Sequence, residues 1–136
     1  MAAAADDLKR VPLFSELGDR QLKKLAGHFR ERSFEPGTTI VSEGQMSGVG
    51  FFVVTEGEAT VSVNGAQVGK LGAGDHFGEL ALVTEAERTA TVTAQTKLGC
   101  LEIPFWDFRD FAHANPDVTW KLLQHVVTTL QRRQPQ

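Results

Sequence analysis

FGELALVTEAERTATVTA, residues 77–94, places Gly78 and Glu79 at the head of a short apolar turn, Leu80-Ala81-Leu82. After five intervening residues comes Arg88, followed at once by the strand-like run Thr89 to Ala94. Gly78 has no side chain, so a ligand can approach the backbone there closely. The turn from Glu79 to Leu82 presents backbone N–H groups at a helix start, which cradle an anion. Arg88 adds a permanent charge and a forked donor set that matches phosphate oxygens. Phosphate repels Glu79, so this carboxylate needs another task, and a sugar hydroxyl beside the phosphate supplies one. The combination suits a sugar-phosphate, with each charge-assisted hydrogen bond adding about 1.5–3 kcal/mol. Thr89 can reach the phosphate or a base edge, or simply fill a strand position as a β-branched residue.

Charge around this stretch is uneven. Between Pro36 and Thr96 the basic residues are Lys70 and Arg88, against Glu43, Glu56, Glu58, Asp75, Glu79, Glu85 and Glu87. Arg88 is therefore either kept for an anion or paired structurally with Glu85 or Glu87. The whole chain has 136 residues and a formal net charge of −3, without the basic stripe of a nucleic-acid binder. One cysteine, Cys100, excludes an internal disulfide and a multi-cysteine metal site. Its apolar surroundings make it a buried, inert thiol, and a reducing compartment fits. The N-terminus has no basic segment leading into an apolar one, and no run is long enough to span a bilayer, so the expected setting is cytoplasmic and soluble, with no membrane and no nucleic-acid partner.

Residues 1–7 read as a disordered tail. From Leu8 the signals are helical: Pro12 to Leu17 forms a short helix broken at Gly18, and Asp19 caps a second with Leu22, Leu25, Ala26 and Phe29 at helical spacing. From Arg32 the pattern changes to short strands and glycines. Thr38–Val41 is β-branched, and Phe51–Val54 is a continuous apolar run that suits a strand buried on both faces. Ala59–Val63 alternates, Asn64-Gly65 predicts a type I′ hairpin turn, and Val68–Leu71 returns as its partner. Frequent glycines and short strands predict a compact rolled sheet. After a strand at Leu98–Ile103, Pro104 at position N1 starts a helix carrying Phe105, Phe108 and Phe111. Asn115-Pro116-Asp117 starts the last helix, which runs to Arg133. Val118, Leu122, Val126 and Leu130 form one apolar row on it, and Trp120, Leu123 and Val127 another. A stripe this wide means either a well-buried helix or one that covers a pocket or a second subunit.

F-G-E-L-A-L, five residues, then R-T-A-T-V-T-A resembles the phosphate-binding cassette of cyclic nucleotide-binding domains. These occur in catabolite-activator-type regulators, kinase regulatory subunits and cyclic nucleotide-gated channels. The likeness continues through I-V-S-E-G-Q, F-F-V-V-T-E-G-E and G-A-G-D-H-F-G-E, and covers residues 8–133. It implies a mainly β fold: an eight-stranded, jelly-roll-like β-roll with N-terminal helices and two C-terminal helices. The segments are N-terminal helices at 8–30, roll at 31–103 with the cassette at 77–94, and C-terminal helices at 104–133 including a lid. By motif position, Glu79 resembles the ligand of the ribose 2′-hydroxyl. Arg88 resembles the ligand of the cyclic phosphate, with Gly78, Leu80, Ala81 and Thr89 completing the site. A threonine at the last position is tied to guanine contact in some members and also occurs in members that bind cAMP. Lid candidates are Leu130, Arg132, Arg133 and Gln134. The chain departs from the family pattern at Ser47-Gly48 and at Gly50, where an apolar residue is usual.

The resemblance implies a non-catalytic sensor of cAMP or cGMP with no cofactor. Its C-terminal helix would move and pass the signal to a protein effector or to a second copy. With 136 residues, no helix-turn-helix, kinase or channel is expected alongside it. Two alternatives belong to other classes. One is a degenerate domain that serves only as an interaction module. The other is a cupin-type metal enzyme drawing on His28, His76, His113 and His125, against which stands the lack of any His-x-His pair.

Overall fold

A computed structural model of the chain describes residues 2–42, 44, 50–78 and 90–133, with the side chains of 2–4 and 133 left aside. Helix α1 (Ala2–Lys9), a short 3-10 turn (Pro12–Phe14) and α2 (Asp19–Ala26) come first. The strands are β1 (Arg30–Phe34), β2 (Thr39–Val41), β3 (Phe51–Glu56), β4 (Ala59–Val63), β5 (Ala66–Leu71), β6 (His76–Phe77), β7 (Thr91–Ala94) and β8 (Leu98–Ile103). Helices α3 (Phe105–Ala114) and α4 (Pro116–Arg133) close the chain. The strands form two antiparallel four-stranded sheets, ordered β1-β8-β3-β6 and β2-β7-β4-β5. This is the mainly β roll with flanking helices that the sequence predicts. Among the described residues no helix is long and apolar enough to cross a membrane.

Strand β3 explains the layering. Phe51, Phe52, Val53 and Val54 are all fully buried, because successive side chains leave opposite faces of the strand and both faces are covered. Phe51 and Val53 join Leu8, Phe14, Leu25, Leu101, Ile103, Phe111 and Val118 in a core beneath the helices. Phe52 and Val54 join Val41, Ala59, Phe77, Val92, Ala94, Leu98 and Cys100 inside the roll. Burying each of these phenylalanines is worth about 1.5–3 kcal/mol.

Several expectations hold in detail. Asn64 and Gly65 have φ of 54° and 81°, the double left-handed signature of a type I′ turn. Gly50, the departure from the family pattern, has φ of 132°, and a Cβ there would collide with the carbonyl oxygen of Ile103. The close crossing of backbones explains the glycine. Three expectations need correction. Residues 2–9 are helical, not a disordered tail, since Leu8 is fully buried and anchors α1. The N-cap of α2 is Gly18, and Asp19 is the first helical residue; the Gln21 side chain reaches back to accept the Gly18 N–H at 2.9 Å. Pro104 is the N-cap of α3, not its first residue.

Helix α4 is divided along its length. Val118 and Leu122 are buried against the helical core, whereas Trp120, Leu123, Val126, Val127 and Leu130 are 43–61% exposed. Of the two alternatives that its apolar rows allow, the well-buried helix is excluded. A polar row at Asp117, Lys121 and His125 faces the N-terminal segment. Gln21 Nε2 donates to Asp117 Oδ2 at 2.7 Å, Lys121 Nζ donates to Gln21 Oε1 at 3.0 Å, and His125 Nδ1 lies 3.9 Å from Glu16 Oε2. The Gln21 hydrogen bond is the main cause that holds the Asp117 carboxyl below its usual range.

One charge is buried among the described residues. Glu102 accepts from Arg32 Nη1 at 2.6 Å; its side chain is 5% exposed, that of Arg32 43%. The Arg32 guanidinium also lies 5.0 Å from the centre of the Phe34 ring. Removing Arg32 leaves a buried carboxylate without its ion partner, so Arg32→Ala should lower the unfolding free energy by roughly 2–3 kcal/mol in urea titrations, below the fully buried case because Arg32 is partly hydrated. Glu102→Leu should cost less, as the charge left behind, on Arg32, is partly hydrated and not buried. Equal small losses for both would mean the pair is solvated in the native state. Next to it, burial pushes the Cys100 thiol up to about 12, with Arg32 pulling it down and Glu102 pushing it up. A raised thiol stays neutral through the range where an ordinary one, at 9.0, ionises. Native protein at pH 9 should therefore resist a disulfide-exchange reagent that labels the urea-unfolded chain at once.

Candidate functional site

The predicted cassette begins at the end of β6, and the structure shows what fixes that point. In the preceding turn, Asp75 Oδ2 accepts the Gly72 N–H at 2.8 Å, and the Asp75 N–H donates to Gly72 O at 3.0 Å. The turn is bonded to β3 in both directions: Gly74 N–H to Val54 O at 2.9 Å, and Val54 N–H to Asp75 O at 2.8 Å. His76 and Phe77 then pair in register with Val53 and Phe52. Phe77 stacks on Phe52 inside the roll, with ring centres 4.8 Å apart and planes 9° from parallel. His76 points the other way, 5.5 Å from the Phe51 ring. Gly78 follows with φ of 89°, a left-handed conformation that favours glycine.

The far flank is held as firmly. Strand β7 lies inside the second sheet, between β2 and β4, with Val92 and Ala94 buried. Ala94 is bonded through both backbone groups, accepting from Gly37 N–H and donating to Thr38 O, each at 2.8 Å. The chain thus leaves the edge of one sheet at Gly78 and enters the middle of the other at Thr91. Glu79, Leu80, Ala81, Arg88 and Thr89, and the alternative pairing of Arg88 with Glu85 or Glu87, lie outside the described residues. Ser47, Gly48 and Gln134 do too. Of the lid candidates, Leu130 and Arg132 are exposed on the last turns of α4, and Arg133 ends the helix.

Sequence reasoning missed the Arg32–Glu102 pair. Arg30, Glu102, Phe52 and Phe77 stand side by side across β1, β8, β3 and β6. The buried carboxylate therefore belongs to the row that ends one residue before Gly78. The available signal was an acid inside the apolar run Leu98–Ile103, but its partner is 70 residues away in sequence.

The histidines have separate surroundings. His28 meets the Phe111 ring edge-on at 5.3 Å, His76 meets Phe51, and His125 faces Glu16. Among the described residues no group of three or more His, Cys, Asp or Glu side chains could hold a metal ion. An open groove of about 720 Å³ lies on the outer side of the first sheet, lined by residues such as Asp7, Phe29, Glu31, Thr55 and Leu101. None of the described residues of 77–94 lines it.

Comparison with known proteins agrees with this geometry. The model of the cyclic nucleotide-binding domain matches residues 31–115. A cAMP-dependent protein kinase regulatory subunit from Yarrowia lipolytica is 45% identical over 93 residues, 67% of this chain and 24% of the relative. A cyclic nucleotide-gated potassium channel from Rhizobium etli is 35% identical over 123 residues, 90% of this chain and 33% of the relative. The chain therefore spans a third or less of these two relatives. The crystal structure of the N-terminal domain of a transcriptional regulator from Streptomyces coelicolor A3(2) superposes with a TM-score of 0.86 at 30% identity, covering 93% of both chains. The regulatory domain of Toxoplasma gondii PKA with cAMP superposes with a TM-score of 0.74 at 28% identity, covering 90% of this chain and 49% of that one. A roll of two four-stranded sheets with a left-handed glycine at the exit of β6, matched by the family model over most of its strands, places this chain in the cyclic nucleotide-binding domain family.

Proposed function

We propose that this chain is a non-catalytic sensor that binds a cyclic nucleotide, cAMP first and cGMP second, and signals through α4. The observation that carries the reading is Gly78. It stands in the left-handed region at the end of an edge strand, at the head of the stretch in which Gly-Glu is followed by Arg88 ten residues after the glycine. In this reading Arg88 binds the cyclic phosphate, and the backbone at Gly78, Leu80 and Ala81 and the Thr89 hydroxyl support it. Glu79 accepts from the ribose 2′-hydroxyl. The base stacks toward the apolar roll and is covered from α4, with Leu130, Arg132 and Arg133 as lid candidates. Ligand shifts the chain toward the conformer with α4 closed, and so selects a pre-existing state. The protein works in the cytoplasm, where Cys100 stays reduced.

The output surface is the exposed stripe of α4. Trp120, Leu123, Val127 and Leu130 repeat at spacings of three, four and three, the seam of a two-stranded coiled coil. A second copy carries the same stripe, so the partner we assign is another molecule of this chain, related by a two-fold axis. A protein effector would then read the state of the pair.

Titration calorimetry with cAMP and cGMP tests the first part. Saturable binding is expected, and Arg88→Ala or Glu79→Ala should each weaken it about 10- to 150-fold, the loss of one charge-assisted contact. An isotherm left unchanged by both substitutions would sink the site assignment. For the second part, sedimentation should show a dimer that Leu123→Glu with Val127→Glu turns into a monomer. A wild-type chain that stays monomeric at high micromolar concentration would leave the stripe without this partner.

A further inference from the structure

The signalling reading leaves open what holds α4 in its present position. The contacts around Gln21 answer this. Its amide makes three hydrogen bonds: the oxygen accepts from Gly18 N–H at 2.9 Å and from Lys121 Nζ at 3.0 Å, and the nitrogen donates to Asp117 Oδ2 at 2.7 Å. The network also settles the amide orientation, because the oxygen meets two donors and the nitrogen meets a carboxylate. One side chain therefore joins the start of α2 to the first two turns of α4. Lys24 reaches Asn115 at 3.4 Å and His125 lies 3.9 Å from Glu16, so further polar contacts follow the same seam.

This tie has the properties of a releasable contact. Asp117 is exposed, and Gln21 and Lys121 are only partly covered, so water can replace each bond at modest cost. Beyond Leu122 none of the described side chains of α4 is fully buried, so the direction of its second half is set by how the first half is held. The apolar anchors Val118 and Leu122 seat only the first two turns of the helix against the core. The hydrogen bonds to Gln21 supply direction from α2, as the one from Thr119 Oγ1 to Ala112 O at 2.7 Å does from α3.

We propose that Gln21 acts as a brake: by holding Asp117 and Lys121 it keeps α4 in the position described, with the lid candidates Leu130 and Arg132 exposed, and releasing it favours closure over the site and tightens cyclic nucleotide binding. The proposal rests on the sensor reading above. If the brake biases the ligand-free equilibrium toward the open state, removing it raises the fraction of binding-competent molecules and lowers the apparent Kd by the same factor.

Three measurements on the full chain test this: amide exchange across α4 without nucleotide, the cAMP isotherm, and far-UV circular dichroism to establish folding. Gln21→Ala should speed exchange in the first two turns of α4 and tighten cAMP binding about three- to tenfold. Lys121→Ala should move both in the same direction. It leaves the start of α2 untouched, so it reads the same quantity if Gln21→Ala does not fold. Asp117→Ala combined with Gln21→Ala should add little to Gln21→Ala alone in either readout, because both remove the same bond. Wild type that binds cAMP, with folded variants that bind it equally or more weakly, overturns the brake and leaves the sensor reading intact. Unchanged exchange in α4 overturns it as well. Wild type that binds neither cAMP nor cGMP overturns the sensor reading, and the brake falls with it.

Discussion

The double burial of β3 is the constraint on which the other features depend. A strand covered on one face alternates apolar and polar residues; Phe51 to Val54 does not, because one face supports the helices and the other lines the roll. Both layers follow from those four residues. The helical core needs Phe51 against Phe14 and Phe29, with ring centres 5.7 and 6.3 Å away. The roll needs Phe52 against Phe77 and Phe34, at 4.8 and 6.3 Å. Shifting β3 by one residue would exchange the two sets, so its register is set by packing on both sides. That register in turn places β6, and β6 places Gly78.

Features with local chemistry were legible in the sequence. Asn64-Gly65 encodes its own turn, because both residues tolerate left-handed backbone. Phe51–Val54 announces a doubly buried strand because no polar residue interrupts it. Features whose cause is distant were not. Strand β1 reads Arg-Glu-Arg-Ser-Phe, with nothing strand-like about it. It is a strand because β8 offers a ladder, and as an edge strand it keeps four of its five residues exposed. Helix α1 looked like a tail because its reason to exist is Leu8, whose partners lie in the other helices and in β3. Glu102 sits in an otherwise apolar strand, and only the pairing of β8 with β1 brings Arg32 beside it. In the candidate site, the motif named Gly78 and the structure supplies its conformation. Gly50 departs from the family pattern for a reason its local sequence does not carry, the crossing at Ile103.

The division of α4 has a similar physical origin. A helix with two apolar rows can bury both only if it is covered on two sides. Here the N-terminal segment covers only the first half of one, at Val118 and Leu122, and leaves Val126, Leu130 and the row containing Trp120 and Leu123 exposed. An exposed apolar stripe of that length needs a reason in a protein with an ordinary surface. The proposed pairing of two copies would give one, and the regular spacing of the stripe distinguishes it from scattered exposed residues, which need no explanation.

A contact chain joins the site flank to this helix. Gly78 follows Phe77, which stacks on Phe52; the neighbouring pair, His76 and Phe51, faces the helical core, where Phe51 meets Phe14 of the 3-10 turn. That turn packs against α4. Adjacent residues in β3 and in β6 thus touch opposite layers, so a displacement of β6 moves groups in both. Such a chain is geometry, and coupling is a free energy that geometry alone does not supply. What turns one into the other is an element with two arrangements of similar stability. The packed interior of the roll is a poor candidate, because close-packed side chains resist small displacements. Helix α4 is the better one: its apolar anchors are few, its orienting bonds are polar and accessible, and its second half lacks a fully buried side chain among those described. In the proposed sensor, a shift at Gly78 would therefore have its effect where the structure is least committed, at the seam between α4 and the N-terminal segment.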